Sequence, residues 1–334
     1  MRAFFIRKYG GPQVLEEGQL PAPELGPRDV RIAVHAASIN PVDWKIREGK
    51  VKVLVPYRFP LVMGNDCSGV VLEVGSAVHA FKRGDEVYTR LAKDRIGAFA
   101  EEVVAAESVV APKPVGLSHA EAASLPLVGL TAWQALTEVA HLQPGQKVLV
   151  HAGAGGVGGA AVQLARHLGA KVVATASAKN AERVRGYGAD TVVDYHSQRF
   201  EEVVRDVDVV LDGVGKDNLV RSFQCVKPGG IVVSIADAPD VAFAREYGVS
   251  KMYWPVFWLL GAKVHRAARR HHARYRYWFM RADGKQLRHL SALVERGELK
   301  PHVDKVFPFA QTREALAYAE SGKASGKVVV QWVE

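Results

Sequence analysis

Only two cysteines, Cys67 and Cys225, occur in the 334 residues, and they lie far apart. That excludes a disulfide framework and any metal site built on paired thiols, and it suits a reducing compartment. Long apolar runs are equally scarce. The longest in the C-terminal third, Met252 to Ala262, is about half of what a membrane-spanning helix needs. The first eight residues, Met1 to Lys8, read as a short strand with charged ends and lack the apolar core and cleavage site of a secretory signal. The expected localisation is therefore cytoplasmic. Zinc-finger spacing, a helix-turn-helix signature and an aromatic RNA-binding motif are all missing, so the net charge of +9 is not read as a nucleic-acid footprint.

What is present is an ordinary globular composition, 48% hydrophobic and 24% charged, on a chain long enough for two domains. The first third carries short β-type runs, Val30 to Ala37, Ser68 to Val74, Glu86 to Thr89 and Glu101 to Val104, separated by Gly, Pro and Asp clusters. This pattern predicts an antiparallel, barrel-like unit. From about Ser118 the texture becomes helical, with apolar spacing from Ala120 to Thr137. Five β-branched runs of the buried kind follow, at 147–151, 171–175, 191–193, 207–211 and 230–234, with helical segments between them. They predict a doubly wound parallel sheet of Rossmann type. A last strand, Lys327 to Val333, after a helix from Thr312 to Ser321, could join either unit.

The sharpest motif is Gly153-Ala154-Gly155-Gly156-Val157-Gly158, placed between the first of these strands and a helix expected over 159–168. Glycines there permit a tight turn and let backbone N–H groups approach a pyrophosphate. An NAD site normally ends its second strand with Asp or Glu. Here the chain reads Thr175-Ala176-Ser177-Ala178-Lys179-Asn180. With no carboxylate, Ser177 as a hydrogen-bond donor and Lys179 as a cation favour the 2′-phosphate of NADPH.

Five segments carry a resemblance over essentially the whole length: Ser38-Ile39-Asn40-Pro41-Val42-Asp43-Trp44-Lys45, Gly64-Asn65-Asp66-Cys67-Ser68-Gly69, Gly97-Ala98-Phe99-Ala100-Glu101, Leu125 to Trp133, and the glycine turn. The chain resembles the medium-chain dehydrogenase/reductase superfamily, quinone oxidoreductase branch. From Tyr275 to Phe309 it is most similar to the reticulon-interacting mitochondrial oxidoreductases and their bacterial relatives. The resemblance implies a GroES-like domain over 1–122, completed by about 305–334, and a Rossmann domain over 123–304.

Zinc-dependent members carry Cys where Asn40 stands, His where Asn65 stands, and four closely spaced cysteines that this chain lacks. Asn is a poor zinc ligand, so no metal is expected, and a zinc-binding family label would mark ancestry. Without a Lewis acid, oxidation of an ordinary alcohol is hard, whereas reduction of a conjugated system needs only donors and a proton. A small hydrophobic conjugated carbonyl or quinone is the expected substrate. The resemblance lifts Asn40 as an amide donor and Asp43 as an orienting group, with Lys45 and Tyr57 as further proton sources. It also implies cofactor contacts at Thr131, Tyr195, Val214, Phe279 and Lys327, and a homodimer. The competing readings are an enoyl-thioester reductase and an NADPH-binding partner protein without catalysis. Finally, Met252 to Arg281 joins an apolar stretch to a basic aromatic run, a composition that predicts peripheral membrane contact or a lid over the substrate.

Overall fold

The computed structural model describes residues 1–332, so Val333 of the expected last strand lies outside it. The chain divides into two compact units, 1–130 with 281–334, and 131–280.

The first unit is organised by one long strand, Asp29–Ile39, whose alternating aliphatic residues face the core. It pairs antiparallel with Asp66–Val74, Glu102–Ala106 and Lys327–Gln331. Glu86–Arg90 and Val110–Pro112 extend the sheet on one side, and Val303–Pro308 extends it on the other. A smaller antiparallel sheet joins Leu15–Gln19, Arg2–Ile6 and Leu61–Val62. Phe4, Ile32, Phe99 and Val330 belong to the shared core. The C-terminal strand thus completes the first unit, resolving the alternative left open above.

The second unit is a six-stranded sheet in which every pair is parallel, ordered Thr191–Asp194, Lys171–Ala176, Lys147–Val150, Val207–Asp212, Val226–Ser234, Arg274–Tyr277. The first five match the predicted runs. The sixth, Arg-Tyr-Arg-Tyr, was not expected as a strand, because it has no β-branched residue and sits inside the basic run.

Three boundaries depart from expectation. The second crossing between units falls at 280/281 and not near 304, because the helix Gly284–Glu295 packs on the first unit. Tyr88 Oη donates to the Leu287 carbonyl at 2.7 Å, and a Cβ on Gly284 would lie 2.5 Å from the Val110 carbonyl oxygen. The first crossing falls at 130/131. The predicted helix over 120–137 is broken into His119–Ala123 and Pro126–Gln134, since the residue before a proline is disfavoured in helical conformation. Among the described residues no helix is long and apolar enough to cross a membrane.

Candidate functional site

Strand register builds a buried polar network in the first unit. Val328 lies opposite Ile39, and Ser38 lies opposite Asp66, so Lys327, Asn40, Asn65 and Asp66 converge at adjoining strand ends. All four are buried, with Asn40, Asn65 and Asp66 at 0% exposure. Lys327 Nζ donates to the Ile39 carbonyl at 2.8 Å and to Asn40 Oδ1 at 2.5 Å. Asn40 Nδ2 in turn donates to Asp66 Oδ2 at 3.0 Å, which also accepts from Ser38 Oγ at 3.0 Å. The amide therefore bridges an ammonium and a carboxylate, with each end of its dipole facing the matching charge.

Asp43 closes the network. It stands in the first turn of the helix Pro41–Arg47, and its Oδ2 accepts from the Asn40 backbone N–H at 2.7 Å. Its Oδ1 accepts from Asn65 Nδ2 at 2.7 Å. Burial is the main cause that lifts the Asp43 carboxyl to about 7, against the hydrogen bonds from Asn65 and Asn40. Burial likewise raises Asp66 and brings Lys327 down to about 8. Asn65 Oδ1 and Asp66 Oδ1 are buried without a hydrogen-bond partner among the described residues. Leaving buried acceptors unpaired is costly, and a ligand hydroxyl or a water fits them.

In the second unit the glycine motif turns between Lys147–Val150 and the helix Gly156–His167. That helix begins inside the motif, three residues earlier than predicted, with Gly155 as its extended N-cap. First-turn N–H groups have no carbonyl partner within a helix, so Gly156, Val157 and Gly158 present donors at its positive end. The close approach is enforced at Gly158, where a Cβ would sit 2.1 Å from the Ala152 carbonyl oxygen. A Cβ at Gly153 would sit 2.9 Å from that of Ala174. The turn is stapled from below: Thr175 Oγ1 accepts from the Ala152 N–H at 3.1 Å and contacts His151 Nδ1 at 3.2 Å, while His151 Nε2 reaches Ser222 Oγ at 3.0 Å. Burial keeps His151 neutral, with its pKa lowered to about 4. This backbone cradle fits a dinucleotide pyrophosphate.

The remaining predicted residues fall as follows. Ser177 follows the second strand, is buried, and accepts from Asn180 Nδ2 at 3.1 Å, while Lys179 is exposed. Tyr195 is exposed just after the third strand, its ring beside that of His196. Val214 is exposed after the fourth, its N–H held by Asp212 Oδ1 at 3.2 Å. Thr131 is buried in the helix Pro126–Gln134. Phe279 is half-buried and its carbonyl accepts from Tyr247 Oη at 2.6 Å. Lys45 is half-buried on the first helix, and Tyr57 Oη donates to the Lys93 carbonyl at 2.7 Å. Lys327, read as a cofactor contact, belongs to the Asn40 network of the first unit. Sequence reasoning missed Asp66 as the counter-charge and the His151, Thr175 and Ser222 staple, although Asp66 stood inside a quoted motif. Among the described residues, no three His, Cys, Asp or Glu side chains gather as a metal cluster.

Comparison with known proteins matches residues 26–115 to the family described as "Alcohol dehydrogenase GroES-like domain" and residues 187–330 to "Zinc-binding dehydrogenase". The chain is 36% identical to the NADPH-dependent alkenal/one oxidoreductase, chloroplastic, of Arabidopsis thaliana, covering 99% of this chain and 79% of that one. It is 34% identical to the NAD(P)H oxidoreductase RTN4IP1, mitochondrial, of Danio rerio, covering 100% and 92%. The solved quinone oxidoreductase from Coxiella burnetii superposes with a TM-score of 0.86 at 33% identity, covering 100% and 99%.

Proposed function

This chain belongs to the medium-chain dehydrogenase/reductase superfamily, and on that premise we propose that it is an NADPH-dependent, zinc-independent oxidoreductase acting on a quinone or an α,β-unsaturated carbonyl. The observation that carries the reading is the Asn40–Asp66–Lys327 network. Where zinc-dependent relatives hold Cys and His, this chain holds two amides, Asn40 and Asn65, whose nitrogens already donate to carboxylates. A buried ammonium supplies the positive charge there, and a conjugated acceptor asks for no stronger electrophile.

When bound, NADPH supplies the hydride. The N–H groups of Gly156, Val157 and Gly158 bind the pyrophosphate, and Ser177 with Lys179 receives the 2′-phosphate that a carboxylate at the strand end would repel. Reduction of a conjugated C=C takes one hydride, which carries both electrons, at the electrophilic carbon and one proton, drawn from the medium, at its neighbour, and the step then balances. Asp43 near 7 and Lys327 near 8 can each hold or release a proton close to neutral pH, the range in which acid–base groups are most effective.

The test is loss of NADPH absorbance against a panel of alkenals, enones and quinones, run with NADPH and NADH and with a chelator present. Turnover with NADPH that the chelator leaves intact supports the reading. Tight NADPH binding without turnover of any conjugated carbonyl would favour the non-catalytic alternative, and turnover confined to enoyl thioesters the other. The reading also includes a homodimer, a cytoplasmic setting and membrane contact through 252–281. Light scattering and cell fractionation check these.

A further inference from the structure

We propose that the helix Trp254–Arg270, with the cavity beside it, docks the enzyme on an anionic phospholipid surface. This rests on the membrane contact suggested above and names its chemistry. From Lys251 to Arg281 the chain contains no Asp or Glu and eight Lys or Arg residues. The helix buries Phe257, Gly261, Val264 and Ala268, spaced three or four residues apart, against its own unit. Its opposite face is divided along its length. The first two turns expose Val256, Trp258, Leu259 and Leu260, at 53%, 66%, 70% and 50%, after Met252 at 73%. The last two turns expose Lys263, Arg266, Arg269 and Arg270.

That axial order matches a bilayer interface entered end-on. The apolar turns sink to the acyl boundary, the Trp258 indole lies at headgroup depth, and the cations behind it meet phosphates. Beside the helix lies a cavity of about 470 Å³, lined in part by Phe257, Trp258, Ala262, Arg245, Arg266 and Arg269. Its lining also includes Asp240, but that carboxylate is buried and already held by His265 Nε2 at 3.0 Å and the Phe243 N–H at 2.9 Å. Apolar walls with three guanidiniums therefore suit one amphiphile whose head is a phosphate, since guanidinium groups grip phosphate oxygens in pairs. A second copy of this chain is a poorer occupant, because self-pairing through this face sets the four cations against their like. A nucleic acid leaves the aliphatic turns unused.

The experiment is co-sedimentation of the full chain with vesicles of phosphatidylcholine alone and of phosphatidylcholine mixed with phosphatidylglycerol, at low and high salt. Each basic residue near an anionic surface strengthens binding about fivefold, so the mixed vesicles should bind at least tenfold more tightly, and salt should remove the difference. Arg266→Glu with Arg269→Glu should erase the preference for phosphatidylglycerol, and Trp258→Ser with Leu259→Ser should weaken binding to both vesicles. NADPH turnover of a water-soluble enone, measured in the same samples, should stay within twofold, which separates failure of docking from failure of the enzymatic reading. Equal or absent binding to the two vesicles overturns the proposal. So does protection of Trp258 by a concentration-dependent dimer that binds no vesicle, or retention on single-stranded nucleic acid alone.

Discussion

Replacing Lys327 by Met should change how stability depends on pH more than it changes stability at any one pH. The ammonium is 6% exposed, and burial brings its pKa from 10.5 to about 8. Because the folded value lies below the unfolded one, the stability this group contributes is present above 10.5 and is lost as pH falls through about 8. A shift of this size corresponds to about 3 kcal/mol, most of which accrues between pH 7 and 10. Lys327→Met removes this gain. In the variant Asp43 and Asp66 lose the positive charge that lowers their pKa values, so both stay protonated to higher pH. That adds to the difference with the same sign. Urea unfolding of both proteins at pH 7, 8, 9 and 10 should therefore show wild type gaining on the variant steadily, by about 2–3 kcal/mol over the range. Parallel stability curves would refute the reasoning, because they would mean that Lys327 is not a buried ammonium coupled to these carboxylates.

Other outcomes follow from the same geometry. Gly158→Ala should abolish NADPH binding and cost at least about 1–3 kcal/mol, because the added methyl meets backbone that cannot yield. Gly186→Ala, at the end of the helix Ala181–Gly186 where nothing lies within 4 Å, should stabilise by about 0.5–1 kcal/mol, and a thermal melt of the pair separates crowding from helix propensity. Ser177→Asp should raise the KM for NADPH by about tenfold or more with little change for NADH, a difference of about 1.4 kcal/mol read from steady-state kinetics. His151→Phe takes one hydrogen bond from each of the Thr175 and Ser222 hydroxyls, which keep their bonds to the Ala152 N–H and the Asn218 carbonyl, and should lower stability by about 1 kcal/mol by chemical denaturation. Asp43→Asn should flatten the loss of stability that wild type shows as pH rises through about 7, since a raised carboxyl stabilises below its unfolded value.

The parts of the site that were legible in the sequence are those set by local pattern. The glycine turn needs only a strand, six residues and a helix, and it stands where expected, with its helix starting inside the motif because glycine N-caps tolerate extended backbone. The β-branched runs announced five strands of the parallel sheet. The Arg274–Tyr277 strand was hidden because its pairing with Val226–Ser234 comes from position beside a nearly complete sheet and not from propensity. Lys327 was harder still. Its partner Asn40 lies 287 residues away, and only the antiparallel register of the closing strand brings them together. The resemblance implies a cofactor contact at Lys327, and what it could not convey is that the ammonium is held within the chain by the Ile39 carbonyl and Asn40 Oδ1. The absent zinc ligands were visible residue by residue, but the carboxylates and ammonium around them were visible only in three dimensions.

The first unit is discontinuous: its strand Asp29–Ile39 leaves the ribosome long before its partner Lys327–Gln331, with the whole of the second unit made in between. Until that strand emerges, the carboxyls of Asp43 and Asp66 have no ammonium and the sheet has an open edge. The intervening unit, residues 131–280, holds its own sheet and core and can fold first. A nascent or truncated chain lacking the strand Lys327–Gln331 would therefore carry a finished nucleotide-binding unit and an unsealed barrel. Such a chain would bind dinucleotide and still be a target for quality control, so cofactor occupancy alone is a poor measure of completed folding for this enzyme.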